Sequence, residues 1–137
     1  AWDHAPEALA AAQALAERNQ VRITTVVSDL EDAATRLPEA AFDLVVCFRY
    51  LHRPLMPQLE RAPRPGGALL YETFRFGQER FGRPLQARFL LQQNELPTAF
   101  PSLSVEHYAE LEPAGGPITA RLLARKPLVA SEAGTGP

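Results

Sequence analysis

A single cysteine, Cys47, occurs among 137 residues. It cannot close an internal disulfide, and its place in a strongly apolar run reads as a buried small hydrophobe in a protein of a reducing compartment. Long hydrophobic runs are also missing. No stretch approaches the ~20 apolar residues that span a bilayer, and the first residues lack the basic-then-apolar order of a secretory signal, so a cytoplasmic chain with no membrane partner is expected. Nor is charge of one sign concentrated anywhere. Fourteen basic and 16 acidic residues are spread along the chain for a net charge of -2, which offers no dense cationic face to a nucleic-acid backbone. A small molecule or a protein is the expected partner; no metal site is assigned, and the oligomeric state is not legible.

What is present is the balance of one globular domain, 46% hydrophobic and 22% charged, with room for one core and not two. From Pro6 to about Asn19, alanine and leucine recur at helical spacing, with Pro6 where a missing amide donor is tolerated and Glu7 beside the positive helix end. Residues 21–28 are rich in β-branched side chains and predict a strand. Residues 31–41 are polar and read as a loop or short helix. Residues 43–48 form a nearly continuous apolar run, the pattern of a strand covered on both faces. A short helix follows over residues 55–62, a Pro65-Gly66-Gly67 turn leads into a strand over 68–74, and an irregular stretch with alternating phenylalanine and arginine fills 74–84. A short helix is expected at 94–100, and an antiparallel hairpin over 103–112 and 118–126. The alternation up to Phe74 and the closing hairpin predict a mainly parallel α/β sheet with an antiparallel edge. Residues 1–127 are taken as the domain and 128–137 as a small, polar, disordered tail.

In an open parallel sheet, ligands bind outside the carboxyl ends of the strands. That rule brings Asp3, Asp29, residues 48–52 and residues 72–75 to one rim and sends Asp43, which opens its strand, to the opposite one. A carboxylate just after a strand can accept from two donors at once, which suits the hydroxyls of a ribose.

The segments WDHAPEAL, SDLED, FDLVVCFRYLHRPL, RPGGALLYETF and ITARLLARKP resemble, in order and spacing, the later motifs of class I methyltransferases that use S-adenosylmethionine. The resemblance covers about residues 2–127 and is nearest to small bacterial methyltransferase-domain proteins similar to tellurite-resistance methyltransferases. It implies a Rossmann-like methyltransferase sheet and S-adenosylmethionine as cofactor. Asp3 then matches the acid that holds the ribose hydroxyls, His4 the neighbour that covers one adenine face, Asp29 the acid that receives the adenine amino group, and Leu30 the amide donor to the ring. Cys47 and Phe48 match the strand end lining the methionine part. Arg49 falls on the substrate-facing loop together with Tyr50 and His52; with Glu72, the latter two are the candidates for a base or hydrogen-bond acceptor near the reacting methyl. Arg75, Arg80 and Arg83, interleaved with Phe74, Phe76 and Phe81, occupy the stretch that forms a substrate lid, where cations and aromatic rings can hold an anionic or planar acceptor. Each has a plainer role beside it: a solvated loop for the lid, a helix-start residue for His52, a paired strand-end acid for Glu72.

The same resemblance exposes departures. The family carries a strand, a glycine-rich loop and a helix before the ribose-binding acid, whose amides approach the cofactor; here the first glycine is Gly66. In the family's strand order, 3-2-1-4-5-7-6, the strand not found is the central one. Ala5 stands where the family has a capping serine. With a non-methionine start and a helix signal by Pro6, these departures lead to the expectation of an N-terminally truncated methyltransferase acting on an unidentified small-molecule or protein acceptor. A degenerate, cofactor-free relative serving as a binding or regulatory module is the alternative. A fragment of another nucleotide-binding α/β protein, such as a dehydrogenase, is disfavoured by the RPGG turn and terminal hairpin.

Overall fold

The computed structural model describes residues 1–128; the expected tail lies outside them except for Leu128. The chain divides into two compact units, Ala1–Arg36 and Leu37 onward.

The first unit is built around helix α1, Pro6–Arg18. Its alanines, leucines, glutamates and arginines are strong helix formers, and Glu7 and Arg18 oppose the helix dipole at the correct ends. Ala5 at the N-cap provides no side-chain acceptor. Asn19 closes the helix by donating from both its backbone N–H and its Nδ2 to the Leu15 carbonyl. Leu9 and Ala16 are the buried side chains of this helix. Strand β1, Trp2–Asp3, pairs in parallel with β2, Val26–Val27. The strand expected over residues 21–28 is thus only two residues long. A β-branched run becomes a strand only where a neighbour pairs with it, and β1 offers two residues to pair with. Residues 31–41 carry no helix.

The second unit holds a four-stranded sheet in the order β3-β4-β6-β5, formed by Phe42–Phe48, Pro63–Phe74, Thr119–Arg125 and Ser104–Leu111. β3 and β4 are parallel, and the other pairings are antiparallel. The expected Pro65-Gly66-Gly67 turn is present as a bulge: the register jumps from Phe42↔Pro63 to Leu44↔Ala68. Gly67 lies so close to β3 that a Cβ there would meet the Phe42, Arg64 and Asp43 carbonyl oxygens at 2.8–3.0 Å. The two helices of this unit are α2, Met56–Arg61, entered through a 3₁₀ turn at Arg53–Leu55, and α3, Glu95–Ala99. Pro97 is tolerated in α3 because it occupies the first turn, where backbone amides have no intrahelical partner.

The core of this unit lies beneath β4 and β6. Leu69, Tyr71 and Thr73 alternate inward from β4 and Ala120, Leu122 and Ala124 from β6, all buried. Leu90, Leu91, Leu96 and Phe100 close over them, with the Tyr71 and Phe100 rings 6.0 Å apart. β3 departs from expectation. It was expected to be covered on both faces, yet Leu44, Val46 and Phe48 are each at least half exposed and Cys47 is its one buried residue. It is also an edge strand of the sheet, as β5 is at the other side, so its apolar run has a cover on one face and a pairing partner on one side.

Candidate functional site

The first unit brings together Asp3 and Asp29, as the rim rule requires. Asp3 ends β1, and its carbonyl accepts the Ser28 N–H at 2.9 Å, so the residue before Asp29 is fastened to the residue that ends the neighbouring strand. Both acids are set by the same local device. Asp3 Oδ1 accepts the Ala5 N–H at 2.9 Å, and Asp29 Oδ1 accepts the Glu31 N–H at 2.9 Å. Each loop therefore fixes one carboxylate oxygen and leaves Oδ2 with no partner among the described residues. His4 lies beside the pair, its Nδ1 3.3 Å from Asp3 Oδ1 and its side chain largely exposed. The Leu30 N–H also has no acceptor among the described residues. The arrangement presents two acceptors and one donor along two adjacent strand ends.

The second unit gathers the exits of β3 and β4. The Arg49 N–H donates to the Glu72 carbonyl at 2.8 Å, and Arg49 adopts a left-handed backbone with φ +59°. Its guanidinium lies over the Phe74 ring, 4.3 Å from the centroid, and 5.2 Å from that of Phe48. Phe48 is exposed. Cys47 points the other way: it is buried, with its Sγ 3.8 Å from the Tyr50 carbonyl. Burial pushes this thiol up to about 11, so it remains protonated and unreactive. The Tyr71 hydroxyl donates to the same Tyr50 carbonyl at 2.7 Å, and burial raises this phenol well above its ordinary range. The loop carrying Tyr50 is thereby tied to the middle of β4.

His52 precedes the 3₁₀ turn and accepts the Leu55 N–H on its carbonyl; its imidazole has no partner among the described residues. Glu72 accepts from Arg121 Nε and Nη2 on the neighbouring β6, at 3.2 and 3.0 Å. This is the paired strand-end arrangement. Asp43 pairs with Arg64 at 2.6 Å at the opposite end of β3.

The phenylalanine and arginine stretch forms a closed loop whose neck is a pair of backbone hydrogen bonds, Leu91 N–H to Phe74 and Phe76 N–H to Leu91, both 3.0 Å. Gln78 is buried at its base, accepting the Ile118 N–H at 2.8 Å and donating to the Arg83 carbonyl. Arg75 is spent on an ion pair with Glu112. Arg80 donates to the Gly77 carbonyl and lies near the Phe81 ring. Arg83 is exposed, and its guanidinium has no partner among the described residues. The four arginines expected at the substrate thus separate: Arg49 and Arg83 present their hydrogen-bonding edges, Arg75 is largely buried on Glu112, and Arg80 is exposed but folds back on its own turn at Gly77.

Sequence reasoning missed two anchors. Arg53 makes a bidentate pair with Glu95, at 2.7 and 2.9 Å, and donates to the Arg88 and Leu90 carbonyls, clamping the far end of the loop. The Arg53 guanidinium holds the Glu95 carboxyl below its usual range, against the opposing effect of burial. Gln78 is the other. Their partners lie about 40 positions away in the chain, and no local pattern reports such a pairing.

The paired β1-β2 ends and the β3-β4-β6-β5 sheet are those of a class I methyltransferase fold, mainly parallel with an antiparallel hairpin. Residues 1–67 match a family model described as a methyltransferase domain. Among solved structures, the chain is similar to TehB from Haemophilus influenzae, with 20% identity over 91% of this chain and 48% of that one and a TM-score of 0.68. It is also similar to the N-methyltransferase NodS from Bradyrhizobium japonicum WM9 in complex with S-adenosyl-L-homocysteine, with 18% identity over 92% of this chain and 65% of that one and a TM-score of 0.67. The [4+2]-cyclase SpnF matches at 16% identity over 92% of this chain and 64% of that one, with a TM-score of 0.65. The chain spans about half the length of TehB. No curated protein sequence matches. The fold is that of the S-adenosylmethionine-dependent methyltransferases, and the methyltransferase-domain model matches just under half of the chain. Among the described residues no group of His, Cys, Asp and Glu is arranged to hold a metal, and no helix is long and apolar enough to cross a membrane.

Proposed function

We propose that residues 1–127 are the adenosine-binding and acceptor-binding part of a methyltransferase domain that transfers a methyl group from S-adenosylmethionine to a small-molecule or protein acceptor. The observation that carries this reading is the pair of strand-end carboxylates, each with one oxygen fixed by its own loop. A preset carboxylate loses little freedom when it accepts hydroxyl or amino protons. Asp3 takes the ribose hydroxyls, Asp29 takes the adenine amino group, Leu30 donates its N–H to the ring, and His4 covers one face. In the second unit, Phe48 offers a ligand an exposed apolar surface, and Cys47 offers only its backbone, since its thiol faces inward.

The bound cofactor supplies an electrophilic methyl group on a sulfonium. The protein's task is to orient the acceptor behind that methyl and take up a proton, and positioning provides much of the acceleration. Of Tyr50, His52 and Glu72, we assign proton uptake to His52, because the Glu72 charge is balanced by Arg121 and the Tyr50 segment is tied down by Tyr71. Arg83 binds the acceptor from the loop, with Arg75 and Arg80 shaping that loop from within.

The residues fit the cofactor on its adenosine side. A glycine-rich cradle for the methionine side is not among them, since no glycine precedes Gly66. A second reading is a cofactor-free relative that binds a nucleoside or another small molecule; SpnF, titled a cyclase, illustrates other chemistry on this fold. Both readings are tested by titrating isotope-labelled protein with adenosine. The methyltransferase reading expects the backbone amides of residues 3–5 and 29–31 to shift together and Asp3→Asn to abolish the response. Unmoved amides at both acids contradict it.

A further inference from the structure

The carboxylates at the second rim are all committed. Glu72 is held by Arg121, Glu95 by Arg53 and Glu112 by Arg75. Arg49, at the meeting point of the β3 and β4 exits, is left with no carboxylate and no hydrogen-bond acceptor for its guanidinium among the described residues. It is nevertheless held in place, by its own N–H on the Glu72 carbonyl and by the Phe74 and Phe48 rings, over which its guanidinium lies at 4.3 and 5.2 Å from the centroids. Its backbone sits at φ +59°, a conformation a side chain of this size rarely adopts, and one that glycine would adopt without strain. Stacking engages only the faces of a guanidinium. The N–H edge, which matches two oxygens of a carboxylate or phosphate, stays available.

We propose that Arg49 is an anion receptor at the carboxyl end of the sheet, taking a carboxylate or phosphate group of a bound ligand on its N–H edge while its guanidinium stays over the Phe74 and Phe48 rings. The acceptor class that follows is a molecule bearing an anionic group, a step that rests on the methyltransferase reading; the anion site itself does not. A second source of the same chemistry is the amino-acid carboxylate of the cofactor.

The test follows the Arg49 Nε–H resonance of the whole chain by nuclear magnetic resonance, assigned through its loss in Arg49→Lys. Benzoate, inorganic phosphate, S-adenosylhomocysteine and methylthioadenosine, which lacks the carboxylate, are titrated separately. The expected result is a saturable shift of Arg49 with benzoate or phosphate, with Arg53, Arg75 and Arg121 unmoved. Arg49→Lys, which keeps the charge but loses the planar fork, is expected to weaken benzoate binding about tenfold. Arg49→Gly, which relieves the left-handed backbone, is expected to keep the fold and lose the response. A shift with S-adenosylhomocysteine that methylthioadenosine does not reproduce identifies the cofactor carboxylate as the occupant; a response to benzoate or phosphate with none to S-adenosylhomocysteine identifies an acceptor group. An Arg49 resonance that ignores every anion, or moves only in step with all the other arginines, overturns the site. Binding of benzoate at Arg49 while the amides of residues 3–5 and 29–31 ignore S-adenosylhomocysteine keeps the anion site and counts against the methyltransferase reading alone.

Discussion

The two units position their strand-end side chains by different means. At Asp3 and Asp29, two-residue strands and turn hydrogen bonds to the residues' own loops do the positioning, and only Leu9 and Ala16 are buried in the adjoining helix. At Arg49, Tyr50 and His52, positioning comes from a sheet with a continuous core, a tyrosine that reaches across from β4, and ion pairs that neutralise the surrounding acids. A carboxylate that accepts hydrogen bonds needs only a local turn to set it. A cation meant to meet a ligand needs every competing anion nearby to be occupied.

The contrast is broken most severely in the core. Leu122→Ala in the second unit is expected to cost ~2–5 kcal/mol in urea unfolding, and Leu9→Ala in the first, with its thin packing, no more than about 2 kcal/mol. Equal losses would mean that the two units share one cooperative core. Next comes ligand binding: Asp3→Asn keeps the turn acceptor for Ala5 but removes the charge, so adenosine affinity should fall roughly ten- to hundredfold while stability changes by less than ~0.5 kcal/mol. A large stability loss would instead assign Asp3 to the fold.

Gly67→Ala sharpens the comparison from the other side, since its Cβ meets backbone oxygens of β3 and β4; it should cost ~1–3 kcal/mol by thermal unfolding, with no change in the amides of residues 3 and 29. The smallest effect is expected at Glu95. Its folded pKa is depressed by Arg53, so its contribution is fully present above the unfolded carboxylate value of about 4.3 and is lost as pH falls through the lower folded value. Glu95→Gln should lower stability by about 1 kcal/mol at neutral pH, because the pair is partly exposed, and should flatten the acid limb of the stability profile. An unchanged acid limb would remove the clamp from the account.

Much of this was legible in the residues, for identifiable reasons. Helix α1 follows from alanine and leucine at helical spacing with Pro6 at its start, and the hairpin from two β-rich runs around Gly115 and Gly116, both at positive φ. Asp3 and Asp29 were placed on one rim by strand polarity. Residues 21–28 misled because strand propensity describes a surface waiting for a neighbour, and the neighbour is two residues long. The apolar run of β3 misled in the same way, since composition reports what a strand can bury and not what covers it. The fate of the arginines was not legible at all: Arg75 and Arg49 look alike in sequence, and only the third dimension supplies Glu112 to one and leaves the other without an acid.

The central claim is that Asp3 and Asp29 would carry the adenosine side of a methyltransferase site and supply most of this chain's grip on the cofactor. The direct measurement is the ratio of affinities of the 137-residue chain for S-adenosylhomocysteine and adenosine, by calorimetric titration. The expected result is weak binding of both, within about tenfold of each other, since a single added charge contact is worth roughly 1.5 kcal/mol or more, and loss of both in Asp3→Asn. S-adenosylhomocysteine bound at low-micromolar affinity, far more tightly than adenosine, would contradict it by revealing a methionine cradle built without glycine.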